Sequence, residues 1–206
     1  MRSVRGFSLL EMAVVLVVIG LALGGLLAPL GASVQQRRLD ATEAALALAA
    51  EVLSGYAVIH GRLPCPDADA DGDEDCPLSG EGALPWRTLG LTQAQARDAW
   101  HNPLRYRPDA AFVGTAVADP PATVDGLRLA DMAGQPLTAA NPAAPAAVLL
   151  SRGADGLGNA GNDTDDGRYT QGPPCTTGCA VYFDDQVTAY STYLLIARLA
   201  AAGRWP

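Results

Sequence analysis

Lysine is absent from this 206-residue chain: all 14 basic side chains are arginine, set against 22 acidic ones for a net charge of −8. A nucleic-acid groove needs a basic stripe to displace phosphate counterions, whereas the acids here gather in loops at Asp67–Asp75 and Asp155–Asp166, so no nucleic-acid partner is expected. Imidazole is nearly absent as well. With only His60 and His101, no nucleophile paired with a matched base and no phosphate-cradling loop after a strand, no catalytic residue is assigned and an enzyme is not expected. Aromatic residues make up 6% of a chain that is 49% hydrophobic, so the apolar content is mainly Ala, Leu and Val in helix-like stretches. No internal repeat is visible, and the length suits one ordinary domain plus a membrane segment.

Charge is missing altogether from Met12 to Gln36, a run built around Val14–Ile19, Leu21, Leu23, Leu26 and Leu27. A bilayer-spanning helix needs about 20 such residues. Helical spacing continues past it, because Leu39, Thr42, Leu46, Ala49, Leu53 and Tyr56 recur at three and four residues and give a second, amphipathic helix half over 37–60. Gly20, Gly24, Gly25, Pro29 and Gly31 interrupt the apolar half, as is common in membrane helices.

After Gly61 the sequence turns to Pro, Gly and Asp with short apolar segments, which predicts loops and short strands over a globular domain at 61–206. The strands are expected at Leu104–Tyr106, Ala111–Val117, Val124–Leu129 and Ala147–Leu150. Helical spacing returns over Asp184–Ala201, with Asp184 and Asp185 in the place of helix-starting acids. The expected fold class is α+β: a long N-terminal helix packed on a small antiparallel sheet, with a short C-terminal helix.

Cysteines stand in two close pairs, Cys65 with Cys76 and Cys175 with Cys179, both beyond the apolar segment. Compartment and spacing favour two local disulfides. A four-thiolate zinc site competes, although Cys65 to Cys76 is too wide for a zinc knuckle.

The chain opens Met1-Arg-Ser-Val-Arg-Gly6-Phe7-Ser-Leu-Leu-Glu11, directly before the apolar run. This resembles the type III signal of the type IV pilin superfamily. The resemblance implies a leader at 1–6, cleavage by prepilin peptidase between Gly6 and Phe7, N-methylation of Phe7, and a membrane-embedded or fibre-core half at 7–36. It also implies an assembly role for Glu11, whose costly intramembrane carboxylate would meet the new amino group of a neighbouring subunit. A secretory signal peptide has an apolar region of only about 7–15 residues, and a plain signal anchor gives no reason for the register of Gly6, Phe7 and Glu11. Arg2 and Arg5 face Arg37 and Arg38 across the run, so orientation comes from the resemblance: leader in the cytoplasm, C-terminal domain in the periplasm.

Two further stretches resemble the major pseudopilin of type II secretion systems. Asp98-Ala-Trp-His-Asn-Pro-Leu-Arg-Tyr106 is similar to that family's Asp-Pro-Trp-Gly-Asn-Pro-Tyr-x-Tyr, which implies that Trp100 and Tyr106 anchor a strand on the long helix while Asn102 and Pro103 turn the chain. His101 replaces the family's Gly. Ser151-Arg-Gly-Ala-Asp-Gly156, followed by Gly158, Gly161, Asp163, Asp165 and Asp166, resembles the pseudopilin calcium loop. It implies Ca²⁺ held by Asp155, Asp163 and Asp165 with carbonyls near Gly153, the alternative being a hydrated acidic turn. Asp67, Asp69, Asp71, Gly72, Asp73 and Asp75 have the opening rhythm of an EF-hand, but Leu78 stands where a bidentate Glu is required.

The expected function is therefore a structural subunit, pilin or pseudopilin, of a type IV pilus or type II secretion pseudopilus. Its partners would be like subunits, prepilin peptidase, the inner-membrane assembly platform and the membrane itself. The alternative is a membrane-anchored calcium-binding periplasmic domain that does not polymerise.

Overall fold

The computed structural model describes residues 8–77, 80–114, 122–176 and 178–204, with the side chains of 22–30 and 32 excepted. The leader, Gly6, Phe7, Leu78 and residues 115–117 of one expected strand lie outside the described residues. The fold class is the expected one. A helix α1 (Leu9–His60) is followed by short strands β1 (Gly82–Ala83), β2 (Arg105–Pro108), β3 (Arg128–Ala130), β4 (Ala147–Ser151), β5 (Arg168–Thr170) and β6 (Gln186–Tyr190), then helix α2 (Thr192–Ala201). The chain divides into two compact units at Asp40/Ala41.

In the first unit α1 carries an apolar surface from Leu9 to Leu21 that is exposed among the described residues, Leu16, Val17 and Leu21 included. Among the described residues the 28-residue part Ser33–His60 is long and apolar enough to cross a membrane, although 39% of its apolar window is buried, and Leu9–Leu21 is a shorter apolar stretch. That apolar first stretch, rather than the part of α1 that packs in the second unit, suits lipid.

In the second unit the Ala-rich stretch 41–50 has high intrinsic helix propensity, and its stripe of Leu46, Ala49, Leu53, Tyr56 and Ala57 is buried. These side chains form one core with Leu104, Tyr106, Leu149, Tyr190, and Leu195 and Leu199 of α2. The sheet behind them is antiparallel in the order β1-β2-β4-β6. Central β4 is buried on both sides: Ala147 and Leu149 face the helix core, while Val148 and Leu150 join Leu127, Leu129, Tyr169 and Val187 in a second cluster. Parallel strands β3 and β5 cover that second face. Tyr106 is fully buried and its hydroxyl donates to the Pro64 carbonyl, 3.0 Å, close beyond the end of α1.

Four sequence expectations change. The C-terminal helix begins at Thr192, not Asp184, and Gln186–Tyr190 is a strand paired to β4. Val187 and Tyr190 are three apart, which imitates a helical stripe, but they serve opposite clusters, as alternate strand faces do. Ala110–Phe112 is a 3-10 turn started by Asp109, whose carboxylate accepts the Ala111 N–H, rather than the start of a strand. Of Val124–Leu129 only the last two residues are strand; Asp109 also takes the N–H groups of Val124 and Asp125 and so holds that segment as a loop. Strands β1, β5 and β6 are too short or too polar to be distinguished by period.

Both local cysteine pairs are disulfides, Cys65–Cys76 and Cys175–Cys179, which removes the thiolates that a zinc site would need.

Candidate functional site

At the start of α1, Ser8 and Glu11 form a reciprocal capping pair. The Glu11 N–H donates to Ser8 Oγ at 3.2 Å, and the Ser8 N–H donates to Glu11 Oε2 at 3.0 Å. This satisfies two of the donors that a helix start leaves open, and it places a carboxylate at the positive end of the helix dipole. Glu11 is exposed and is the first charged residue of α1, with no other until Arg37. Among the described residues its carboxylate accepts a single local N–H and keeps capacity for a cationic partner. The Ser-x-x-Glu spacing was readable in the sequence, but the reading of Glu11 as an assembly residue hid its capping role.

The second candidate lies where two stretches distant in sequence meet. Asp98 is buried; its Oδ1 accepts the Trp100 and Asn102 N–H groups, both at 2.9 Å, and its Oδ2 accepts Ser151 Oγ at 2.7 Å. Asn102 Nδ2 in turn donates to the Gly153 carbonyl at 2.6 Å. The Asp98–Tyr106 stretch therefore acts as a brace for the Gly-Ala-Asp-Gly loop. His101 sits at φ +70°, a left-handed conformation that glycine adopts without strain.

Across the loop stand Asp184 and Asp185, fully buried and 2% exposed. Asp184 Oδ2 accepts the Ala154 N–H (2.6 Å), the Asp155 N–H (3.2 Å) and the Tyr182 hydroxyl (2.8 Å). Its approach requires glycine at 153, because a Cβ there would stand 2.4 Å from the Asp184 carboxyl carbon. Asp185 Oδ2 accepts the Asn159 N–H at 2.7 Å and Asn162 Nδ2 at 2.8 Å. Among the described residues the buried Oδ1 atoms of both carboxylates have no partner. Burial, offset in part by the Asn159 and Asn162 bonds and reinforced by Asp184 and Asp155, pushes the Asp185 carboxyl up to about 6. Two adjacent buried acids with empty oxygens are the donor type that a hard cation takes.

Of the three acids expected to bind metal, Asp155 is in this neighbourhood; its oxygens accept the Leu157 N–H (2.8 Å) and Asn159 Nδ2 (3.3 Å). Asp165 pairs instead with Arg107 and accepts the Glu81 N–H, at 3.0 Å. Asp163 is exposed. The unpartnered buried carboxylates of Asp184 and Asp185 were not singled out in the sequence because the helical spacing after them made them look like helix-starting acids.

Among the described residues, two groups bring three possible ligand side chains within reach of one another: Cys65 with Glu74 and Cys76, and Asp67 with Asp69 and Asp71. In the first, both sulfurs are spent in a disulfide. Glu74 serves as a structural post instead: burial opposes its ionisation, but Arg62, the Cys65 N–H and the Tyr56 hydroxyl outweigh it and hold the carboxyl down to about 2. In the second, the loop's own backbone occupies the acids. Asp67 accepts the Ala70 and Gly72 N–H groups, Asp69 that of Asp71, and Asp71 that of Asp73.

Residues 1–27 match the family described as the prokaryotic N-terminal methylation motif. No curated protein and no solved structure matches the chain significantly.

Proposed function

We propose, from the processing motif at residues 1–27, that this chain is a type IV pilin-like subunit, cut by prepilin peptidase between Gly6 and Phe7, N-methylated at Phe7 and polymerised through α1. The motif match is the observation that carries the reading. The exposed carboxylate of Glu11 and the exposed apolar surface from Leu9 to Leu21 support it. In the membrane, the new amino group of one subunit neutralises Glu11 of the next, and contact between apolar helices holds the fibre. The subunit waits in the inner membrane with its folded domain in the periplasm, and its partners are like subunits, the peptidase and the assembly platform. The likeness of the Asp98–Tyr106 and Gly153–Gly156 stretches to the major pseudopilin favours a type II secretion pseudopilus over a pilus.

Within the same reading a Ca²⁺ ion is assigned to the Gly153–Asp155 loop. The ligands proposed are Asp184 and Asp185, because each presents a buried oxygen without a partner among the described residues; Asp155 stands in the same neighbourhood but the three do not come within common reach. Bound there, the ion neutralises adjacent buried carboxylates and ties the loop to the start of β6. Asp163 and Asp165 contribute charge rather than ligand atoms, Asp165 because Arg107 and Glu81 engage it.

N-terminal sequencing or intact mass of the membrane-extracted protein tests the main claim. A mature start at Phe7 supports it, and a bulky residue at Gly6 should leave uncut precursor. A start beyond Ala28 overturns it. Replacing Glu11 separates polymerisation from simple anchoring: multimers should be lost while membrane insertion persists.

A further inference from the structure

Strands β3 and β5 run parallel, with Arg128 opposite Arg168 and Leu129 opposite Tyr169. The second pair is buried in the cluster behind the sheet, so alternation turns both arginines outward, and both are exposed. Two guanidinium groups thus stand side by side on strands whose backbones are about 4.8 Å apart. Among the described residues neither belongs to an ion pair of its own chain. The acids close to them in sequence are engaged elsewhere. Asp125 accepts the Ala110 N–H at 2.8 Å, Asp131 the Ala133 N–H at 2.9 Å, and Asp166 the Arg168 N–H at 2.9 Å, while Asp165 pairs with Arg107. Beside the arginines lies an open depression of about 310 Å³ walled by Gly134 and Pro136. Two like charges held together repel, and an acidic group that meets both relieves the repulsion.

We infer that the Arg128–Arg168 pair docks the Asp69–Asp71 turn of a second copy of this chain. Charge and spacing select that occupant. Asp69 and Asp71 are exposed, and among the described residues neither belongs to an ion pair. Each accepts one N–H within its loop, from Asp71 at 3.2 Å and from Asp73 at 2.8 Å, which holds the carboxylates in place without neutralising them. Each offers an oxygen within 4.8 Å of the other's, the spacing of the two strands, so one carboxylate meets each guanidinium. Ala70 between them is small and exposed, and it enters the depression. The basic and acidic patches are different surfaces of the same compact unit, so the contact is head-to-tail and repeats from copy to copy instead of closing as a two-fold dimer does. The inference rests on the proposed polymerisation and adds a contact between folded domains to the one between helices. Exposed ion pairs are weak, so this contact selects how neighbouring domains are arranged and does not drive assembly.

Paired neutral substitutions test the contact in the full-length chain, expressed with its peptidase and assembly platform. Arg128→Gln with Arg168→Gln should lower the assembled fraction by about fivefold, a loss that fades at high salt. Asp69→Asn with Asp71→Asn, whose amide oxygens still accept the loop's N–H groups, should lower it equally. All four substitutions together should be no worse than either pair, because both pairs remove the same contact. Arg168→Cys with Asp71→Cys should give a ladder of linked multimers with a short bismaleimide, since the four native cysteines are all in disulfides and leave no free thiol. Losses that multiply in the fourfold variant, or no ladder while the unmodified chain still multimerises, overturn the docking and leave the proposed function standing. Weaker binding of the arginine variant to anionic vesicles with multimers intact makes the occupant a lipid headgroup and overturns the docking in the same way. Failure of the unmodified chain to multimerise overturns both.

Discussion

The two acidic loops are both rich in Asp, with five in Asp67–Asp75 and four in Asp155–Asp166, and they have opposite physics. In Asp67–Asp75 each carboxylate that caps a turn takes its N–H donor from within the loop, with Ala70, Gly72, Asp71, Asp73 and Ala68 supplying them. Gly72, at φ +98°, lets Trp86 close over the turn, where a Cβ would come within 2.4 Å of the indole. The later loop is organised from outside: Asp184 and Asp185, about thirty residues on in sequence, reach back to its N–H groups and leave two buried oxygens empty. A local donor supply makes a dense run of Asp self-sufficient, while a remote one leaves charge that a cation can take.

The largest expected effect tests that contrast. For the chain in detergent, Ca²⁺ at a thousandfold excess over its dissociation constant should raise stability by about 4 kcal/mol relative to EDTA. Asp185→Asn should remove the calcium shift and melt higher than the unmodified protein in EDTA, because it discharges a buried carboxylate while the amide oxygen still accepts from Asn159 and Asn162. Asp69→Asn should change neither. A calcium shift that survives Asp185→Asn and vanishes with Asp69→Asn would reverse the comparison.

The first loop has its own anchor, which is Glu74 rather than any Asp. Its carboxyl is held at about 2, so the stabilisation is present above the ordinary carboxylate range and is lost as pH falls through about 2. Glu74→Gln should cost about 3 kcal/mol at pH 7 and little near pH 2, read from denaturant melts at the two pH values. Each loop region also has a disulfide. By loop entropy, opening Cys65–Cys76 should cost about 3 kcal/mol and opening Cys175–Cys179 about 2. Paired Cys→Ser variants compare the two, and an equal or reversed order would show that the short closure orients Asp184 as well as shortening the unfolded chain.

What the sequence made legible was one-dimensional. The apolar run, the stripe from Leu46 to Ala57 and both cysteine pairs depend on neighbours a few residues away, and the structure has them where spacing put them. What escaped was set by contacts across the fold. β6 is a strand because β4 offers it an edge, against a Val187–Tyr190 spacing that suggests helix. Asp184 and Asp185 act on Ala154 and Asn159, a relation that no local window contains. The Asp98–Tyr106 stretch was readable as a turn and strand, but its grip on Gly153 through Asn102 is a tertiary fact.

The smallest prediction concerns the turn that makes this grip. His101 pays for a left-handed φ of +70° that a side chain disfavours by roughly 1–2 kcal/mol, whereas glycine adopts it freely. The backbone does the work there: the His101 N–H donates to Asp98 O at 3.0 Å, and its carbonyl accepts Arg97 Nη1. The imidazole is exposed, and both bonds survive its removal. Against the gain stands the extra freedom of glycine in the unfolded chain, roughly 0.5–1 kcal/mol. The net expectation for His101→Gly is a gain of up to about 1 kcal/mol, or about 2–4 °C in melting temperature. The calcium shift should be unchanged, since Asn102 keeps its hold on Gly153. A loss of stability would mean that the imidazole itself makes a contact that matters, and a smaller calcium shift would mean that strain in this turn is transmitted to the loop it braces.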